Sequence, residues 1–292
     1  PRTSAPTTQT SGRIRFGLAP SEIEAMVFDD IAGEIALARE LAAHRISCHV
    51  AMGAYDSGKR LVEQLGRRGL LGADLLFVHG AALTDEELRR LRDAGAGISA
   101  TPETELQMGM GFPVAARAAA AGVRSALGID IVSNVSGDMF AQMRLMLQAT
   151  RALTNAGFER RGQAPRQIAL KAWDVLRLAT LGGAEAIGLE HRIGSIEAGK
   201  QADLVLLSTN ALHLQPATDA VGSIVLQAHA GDVDTVIVDG DIRKRGGRLV
   251  GVDQRRLAAR LLASRVRLDA HFASVDRRPV EQAIAERYAH LA

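Results

Sequence analysis

Two residues, His79 and Asp130, each close a short apolar run of the kind that forms a buried parallel strand. Leu75-Leu76-Phe77-Val78 leads into His79-Gly80, and Val123 to Leu127 leads through Gly128-Ile129 into Asp130. A third run, Arg45-Ile46-Ser47-Cys48, ends in His49. Imidazole and carboxylate groups ligate divalent metals and move protons near neutral pH. In an α/β barrel the C-terminal strand ends form one rim, where the βα loops converge on a single mouth. Three such groups at three strand ends therefore point to chemistry at one mouth.

The elements that would position them alternate. Arg13 to Leu18 reads as a strand ending at Ala19-Pro20. Ile31, Ile35, Ala38 and Ala42 at helical spacing predict a helix over 31–43. A strand over 45–49, a helix over 57–69 and a strand over 75–79 follow. Thr84, with Glu87 three residues on, is a capping box that opens a helix to about Ala94. Next come a strand over 97–100, a helix over 113–121, a strand over 123–127 and a helix from about Met139. This order favours a parallel sheet with right-handed crossovers. Five strands precede residue 131, so three more are needed to close an eight-stranded barrel.

After residue 190 the pattern changes to glycine-punctuated strands. Val233 to Val238 and Ile242 to Val250 flank Asp239-Gly240, a strong hairpin signal. A basic amphipathic helix is expected from Gln254 to about Phe272. The expected division is a loop over 1–12, an α/β unit over 13–190, sheet strands over 191–252 and a helical segment over 253–292.

Composition narrows the function classes. The 292 residues are 47% hydrophobic and 23% charged, with net charge +2. Basic residues are dispersed among acids and only 3% of residues are aromatic, so no nucleic-acid platform is expected. No apolar stretch approaches the roughly 20 residues of a membrane span, and no signal peptide opens the sequence. The single Cys48 fits a reducing cytoplasm. A composition rich in Ala and Arg suggests a bacterial source.

Four passages resemble the amidohydrolase superfamily, in its chlorohydrolase, cytosine-deaminase and adenosylhomocysteine-deaminase-like branch. They are Val78-His79-Gly80 with Leu83 to Glu87; Leu127 to Asp130 with Ser133-Asn134 and Asp138 to Arg144; Ala179 to Leu189 followed by Ile193 to Leu204; and Val233 to Gly240. The resemblance implies a distorted (β/α)8 metal-dependent hydrolase barrel with a small β-sandwich built from both chain ends. It makes His49 the fifth-strand metal ligand, His79 the sixth-strand residue facing substrate or water, and Asp130 the eighth-strand ligand and proton acceptor. Each has a plainer alternative: a packed strand-end histidine, a structural loop histidine and a capping aspartate. The implied cofactor is one divalent metal, Zn²⁺ or else Fe²⁺.

Two departures from the family stand out. The family's first strand carries His-x-His, and this sequence has none. The resemblance thus implies a partial barrel with half a sandwich, completed by a missing N-terminal segment of the same protein. The family's deaminases also show His-x-x-Glu on strand five, where this chain has His49-Val50-Ala51-Met52. Methionine cannot carry a proton. Glu22, Glu24, Glu103 and Glu105 lie on neighbouring loops, where they could bind a cationic substrate or form a solvated acidic face. Met52, Met108 and Met110 could form an adaptable apolar wall or pack in the core, and Ser133 adds a polar group. His213 and His229 read as structural; His44, His191, His271 and His290 read as solvated.

The expected function is hydrolysis of a non-peptide C–N bond in an amidine, guanidine, cyclic amide or amino-heterocycle. Hydrolytic dechlorination and a catalytically silent binding or scaffold protein are the alternatives. The expected partners are a small-molecule substrate and further copies in a homo-oligomer, with no nucleic acid and no membrane.

Overall fold

The computed structural model describes residues 13–287 except Glu22 and Ala25. In chain order the first half contains α1 (Phe28–Glu40), β1 (Ile46–Val50), α2 (Leu61–Arg67), β2 (Leu75–His79), α3 (Asp85–Ala94), β3 (Gly97–Ala100), α4 (Pro102–Gln107), α5 (Ala115–Ala120) and β4 (Arg124–Leu127). The four strands form one parallel sheet in the order β1-β2-β3-β4. Each crossover carries at least one helix, as parallel neighbours require.

Period-two alternation gives this sheet two unlike faces. Ile46, Cys48, Val50, Leu75, Phe77, Ile98 and Ala100 are buried. They join Ile31, Ile35 and Ala38 of α1, Leu61, Val62 and Leu65 of α2, and Leu88 and Leu91 of α3 in one core. The helices therefore cover one face. Ser47, Leu76, Val78 and Ser99, on the other face, are only half-buried.

Then follow α6 (Met139–Glu159), α7 (Ala172–Ala179), α8 (Leu181–Ala186), β5 (Leu204–Leu207), α9 (Ala220–Leu226), β6 (Val233–Val238), β7 (Asp241–Arg245), β8 (Arg248–Leu249), α10 (Gln254–Ser274) and α11 (Arg278–Arg287). Strands β5 to β8 form a second, antiparallel sheet in chain order. Asp239 and Gly240 both have positive φ, 51° and 82°, the geometry that a tight hairpin turn requires. Arg13 bridges Asp239 at 2.8 Å and Asp241 at 2.6 Å, which ties this hairpin to the segment before Leu18. Among the described residues no helix is long and apolar enough to cross a membrane.

Several expectations shift. The strand over 13–18 is reduced to a single parallel bridge between Leu18 and Ile46. Its early residues are largely exposed and have no further partner strand among the described residues. The helix expected over 31–43 starts earlier and ends at Glu40. The run 242–250 splits into β7 and β8 because Gly246 and Gly247, both with positive φ, turn the chain back. His44 is half-buried rather than solvated, with Nε2 2.9 Å from the Ile187 carbonyl. Burial, together with the neighbouring Arg45 charge, pushes its pKa down. Residues 1–12, expected as a loop, and His290 lie outside the described residues.

The capping box on α3 forms as expected. The Thr84 hydroxyl accepts from Glu87 N–H at 3.3 Å, and Glu87 Oε2 accepts from Thr84 N–H at 3.1 Å. Arg60, which precedes α2, reaches both partners, so this cap also clasps two helix starts. Thr84→Ala should destabilise the fold by about 1 kcal/mol. Urea unfolding with an unchanged midpoint would show that the cap contributes nothing.

Candidate active site

The mouth is built at the C-terminal ends of β1 to β4. His49 lies on the open face of β1 and is exposed, between the buried Cys48 and Val50. In the parallel register His49 pairs with Val78, and Val50 pairs with His79. Strict alternation would thus send His79 toward the helix-covered face. Its backbone departs from the strand instead, with φ of 72°. The His79 ring lies 5.2 Å from the His49 ring, centroid to centroid, with the planes tilted by 39°. Asp130 also has a left-handed backbone, with φ of 71°. Left-handed geometry is uncommon outside glycine, and strained positions gather at functional sites.

His79 is buried and held by Thr101, between β3 and α4, and by Glu105 of α4. Its Nδ1 lies 3.0 Å from the Thr101 hydroxyl and 3.4 Å from Glu105 Oε1. Glu105 is fully buried, and its Oε1 accepts the Thr101 N–H at 2.7 Å. Its Oε2 has no hydrogen-bond partner among the described residues. The segment expected as a loop after strand 97–100 is the helix α4, which brings Glu105 one turn on from Thr101. The missed signal is Pro102, a residue suited to the first helical position. Thr101 was not singled out from sequence either, although it supplies the hydroxyl between imidazole and carboxylate.

The other loop carboxylates are also engaged. Glu24 is buried; its Oε1 accepts the Ala51 N–H at 3.0 Å, and its Oε2 accepts from the Ser57 hydroxyl. It thereby holds the loop that follows β1. Glu103 Oε2 accepts from Ser136 N–H at 3.2 Å, the Ser136 hydroxyl at 2.8 Å and Gln142 Nε2 at 2.9 Å. That pins the loop after Asp130 to α4 and α6. Glu24, Glu103 and Glu105 are thus all engaged in internal contacts, as a partly or fully buried carboxylate needs donors. Glu22 lies outside the described residues.

Met52 is half-buried and precedes the 3-10 turn Gly53–Tyr55. Gly53 has φ of 61°, and a Cβ there would overlap the Met110 carbonyl, so this loop packs closely on the chain after α4. Met108 is 38% exposed, and its sulfur lies 3.8 Å from Asn134 Nδ2. Ser133 is exposed on the loop after β4.

Comparison with known proteins supplies the family. A model of the amidohydrolase family matches residues 17–243. The chain belongs to that family. It is 36% identical over 204 residues to a 5-methylthioadenosine/S-adenosylhomocysteine deaminase of Desulforudis audaxviator, covering 67% of this chain and 45% of the relative. A deaminase of the same name from Shouchella clausii is 31% identical over 259 residues, covering 85% and 57%. The chain thus spans about half the length of the curated relatives it matches. Among solved structures it superposes on an adenosine deaminase from Xanthomonas campestris with bound zinc. The TM-score is 0.76 at 29% identity, over 87% of this chain and 57% of that one. A zinc-bound atrazine chlorohydrolase from Arthrobacter aurescens shares the fold, with a TM-score of 0.71 at 20% identity, over 84% of this chain and 54% of that one. These neighbours support an α/β hydrolase fold of the TIM-barrel type.

The buried triad of this amidohydrolase makes Thr101 a sensitive position. Thr101→Val keeps the shape but leaves Nδ1 of His79 without its hydroxyl partner. The fold should lose about 1–3 kcal/mol, the cost of an unpaired buried polar group. Chemical denaturation would read this, and parental stability would show that the hydroxyl is dispensable.

Proposed function

We propose that this chain is the metal- and substrate-facing part of a hydrolase that cleaves a non-peptide C–N bond in an amidine, guanidine, cyclic amide or amino-heterocycle. The observation that carries this reading is the meeting of His49 and His79 at the C-terminal mouth of a parallel sheet, 5.2 Å apart. Relatives named as deaminases and neighbours described with bound zinc support it.

The donor set suits a divalent ion such as Zn²⁺, with Fe²⁺ as the alternative. His49 offers imidazole and Asp130 offers carboxylate, both exposed at the mouth. A bound ion of this class supplies Lewis acidity that makes water nucleophilic near neutral pH. Catalytic zinc usually takes three protein ligands, so further donors must come from a missing N-terminal segment of the same protein or from another subunit of a homo-oligomer. The sheet order gives a second reason. Strands β1 and β4 are the two outer strands of the four. At a spacing of about 4.8 Å they would stand roughly 14 Å apart in a flat sheet. A sheet that curves toward closure, as in a barrel completed by further strands, would bring His49 and the loop that carries Asp130 closer together. The antiparallel sheet β5 to β8 fits half of a sandwich, with the proposed domain limits at 13–190, 191–252 and 253–292.

The chain's own groups then divide the work. His79, tethered through Nδ1 by Thr101, presents Nε2 to orient the attacking water or polarise the substrate. Asp130 accepts the proton of that water. Glu105 holds Thr101 and His79 in place, and Glu103 holds the loop that carries Ser133. Met52, Met108 and Ser133 line the substrate side. The buried Cys48, the single cysteine of the sequence, suits a reducing cytoplasm. Met52 favours a second reading, a silent binding homologue, since it stands where the family's deaminases carry a proton-shuttling glutamate.

In the complete protein Asp130→Asn should lower turnover by about 10²–10⁴-fold with little effect on folding. His79→Asn should lower turnover but keep metal, whereas His49→Ala should lose both. Metal content and ammonia release, read in parallel, decide between the readings. Near-parental activity of Asp130→Asn would exclude it as the base. A parent that binds metal but turns over no C–N substrate would favour the silent homologue.

A further inference from the structure

Three ligand-type side chains meet far from the mouth in sequence. His213 comes from the 3-10 turn Leu212–Leu214, and His229 and Asp232 flank the turn Ala230–Asp232 that opens β6. The rings of His213 and His229 are stacked, 4.9 Å between centroids at 19°. Both Nε2 atoms face one carboxylate oxygen. His213 Nε2 lies 3.1 Å and His229 Nε2 lies 3.6 Å from Asp232 Oδ2. One donor atom from each of the three residues fits within 4.8 Å of the others.

We propose that His213, His229 and Asp232 form a second cation site, selective for a borderline divalent ion such as Zn²⁺ and distinct from the mouth. The distances carry this. Zinc with bonds of about 2.0–2.1 Å to nitrogen and oxygen sets tetrahedral ligand–ligand edges of about 3.3 Å. The two measured edges to Asp232 Oδ2 bracket that value. Two imidazoles and one carboxylate choose zinc-like ions over Mg²⁺ or Ca²⁺, which take oxygen. The carboxylate is buried and the rings are open, with side-chain exposures of 5%, 42% and 54% for Asp232, His213 and His229. An ion can therefore enter, with water in the fourth position.

The surroundings preorganise the acid. Asp232 Oδ2 accepts the His229 backbone N–H at 2.9 Å. The Asp232 carbonyl accepts Ser208 N–H at 2.8 Å, next to β5. Burial opposes ionisation of Asp232, but the His229 N–H and the His213 ring outweigh it and hold the carboxyl below the usual carboxylate range. One contact must yield. His229 Nδ1 accepts the Gly231 N–H at 3.0 Å. On coordination through Nε2 the ring proton moves to Nδ1, and the exposed Gly231 N–H turns to water. The ion would then clip the turn before α9 to the start of β6, closing the loop that contains α9.

The test is residue-resolved and needs no activity. The protein, stripped with chelator, is treated with diethylpyrocarbonate with and without Zn²⁺, and each histidine is quantified by mass spectrometry. Zinc at tens of micromolar should slow labelling of His213 and His229 at least tenfold. His191, with a side chain 92% exposed, serves as the insensitive control, Mg²⁺ should protect neither, and His49 reports the mouth separately. The parent should also hold one more zinc equivalent than the double variant His213→Gln/His229→Gln. Labelling of His213 and His229 that zinc does not change would overturn the proposal, leaving an ion-paired histidine cluster. Equal zinc equivalents in parent and folded double variant would overturn it as well. If the variant fails to fold, the labelling of the parent decides.

Discussion

The constraint on which this structure depends is the side-chain alternation of a parallel sheet covered by helices on one face only. Cys48, Val50, Phe77 and Ile98 are buried with α1, α2 and α3. Because neighbours along a strand point oppositely, burying Cys48 and Val50 forces His49 onto the other face. The hydrophobic effect thus places a polar ring at the mouth without any contact designed for that ring. Slipping β1 by one residue would bury His49 and expose Cys48 and Val50, so core and site share one register.

The same rule explains why His79 needs a special backbone. By register it belongs with the buried Val50 and would end against the helices. The left-handed turn at His79, followed by Gly80 with φ of 77°, takes the chain out of the strand at that point. The hydrogen bonds around Thr101 and Glu105 over-determine the position and so help to offset the strain. Among the described residues Oε2 of Glu105 finds no partner, and an unpartnered oxygen is where burial of a carboxylate costs most.

The carboxylates on the segments around the mouth organise those segments. Glu24 holds the loop after β1, and Glu103 joins α4, α6 and the loop after β4. Loops carry unpaired backbone and hydroxyl donors, and a carboxylate accepts several at once. At the far sheet, Asp232 gathers two imidazoles and a backbone N–H by the same logic. Each of these acids therefore stands at a junction between elements distant in sequence.

Much was legible in the residues themselves. Apolar runs leading to His49, His79 and Asp130 marked three strands, because strand burial and period are local properties of sequence. The capping box at Thr84 and Glu87 and the Asp239-Gly240 turn were readable for the same reason: their partners lie within a few residues. The helix α4 was missed because Thr101-Pro102 suits both a loop and a first helical turn. The roles of Thr101, Glu105 and Gln142, and the meeting of His213 with Asp232, were decided only by tertiary structure. Their partners lie 22 residues away for Thr101 and His79, 39 for Glu103 and Gln142, and 19 for His213 and Asp232. No local periodicity encodes such pairings; they follow from how the packed elements bring distant loops together.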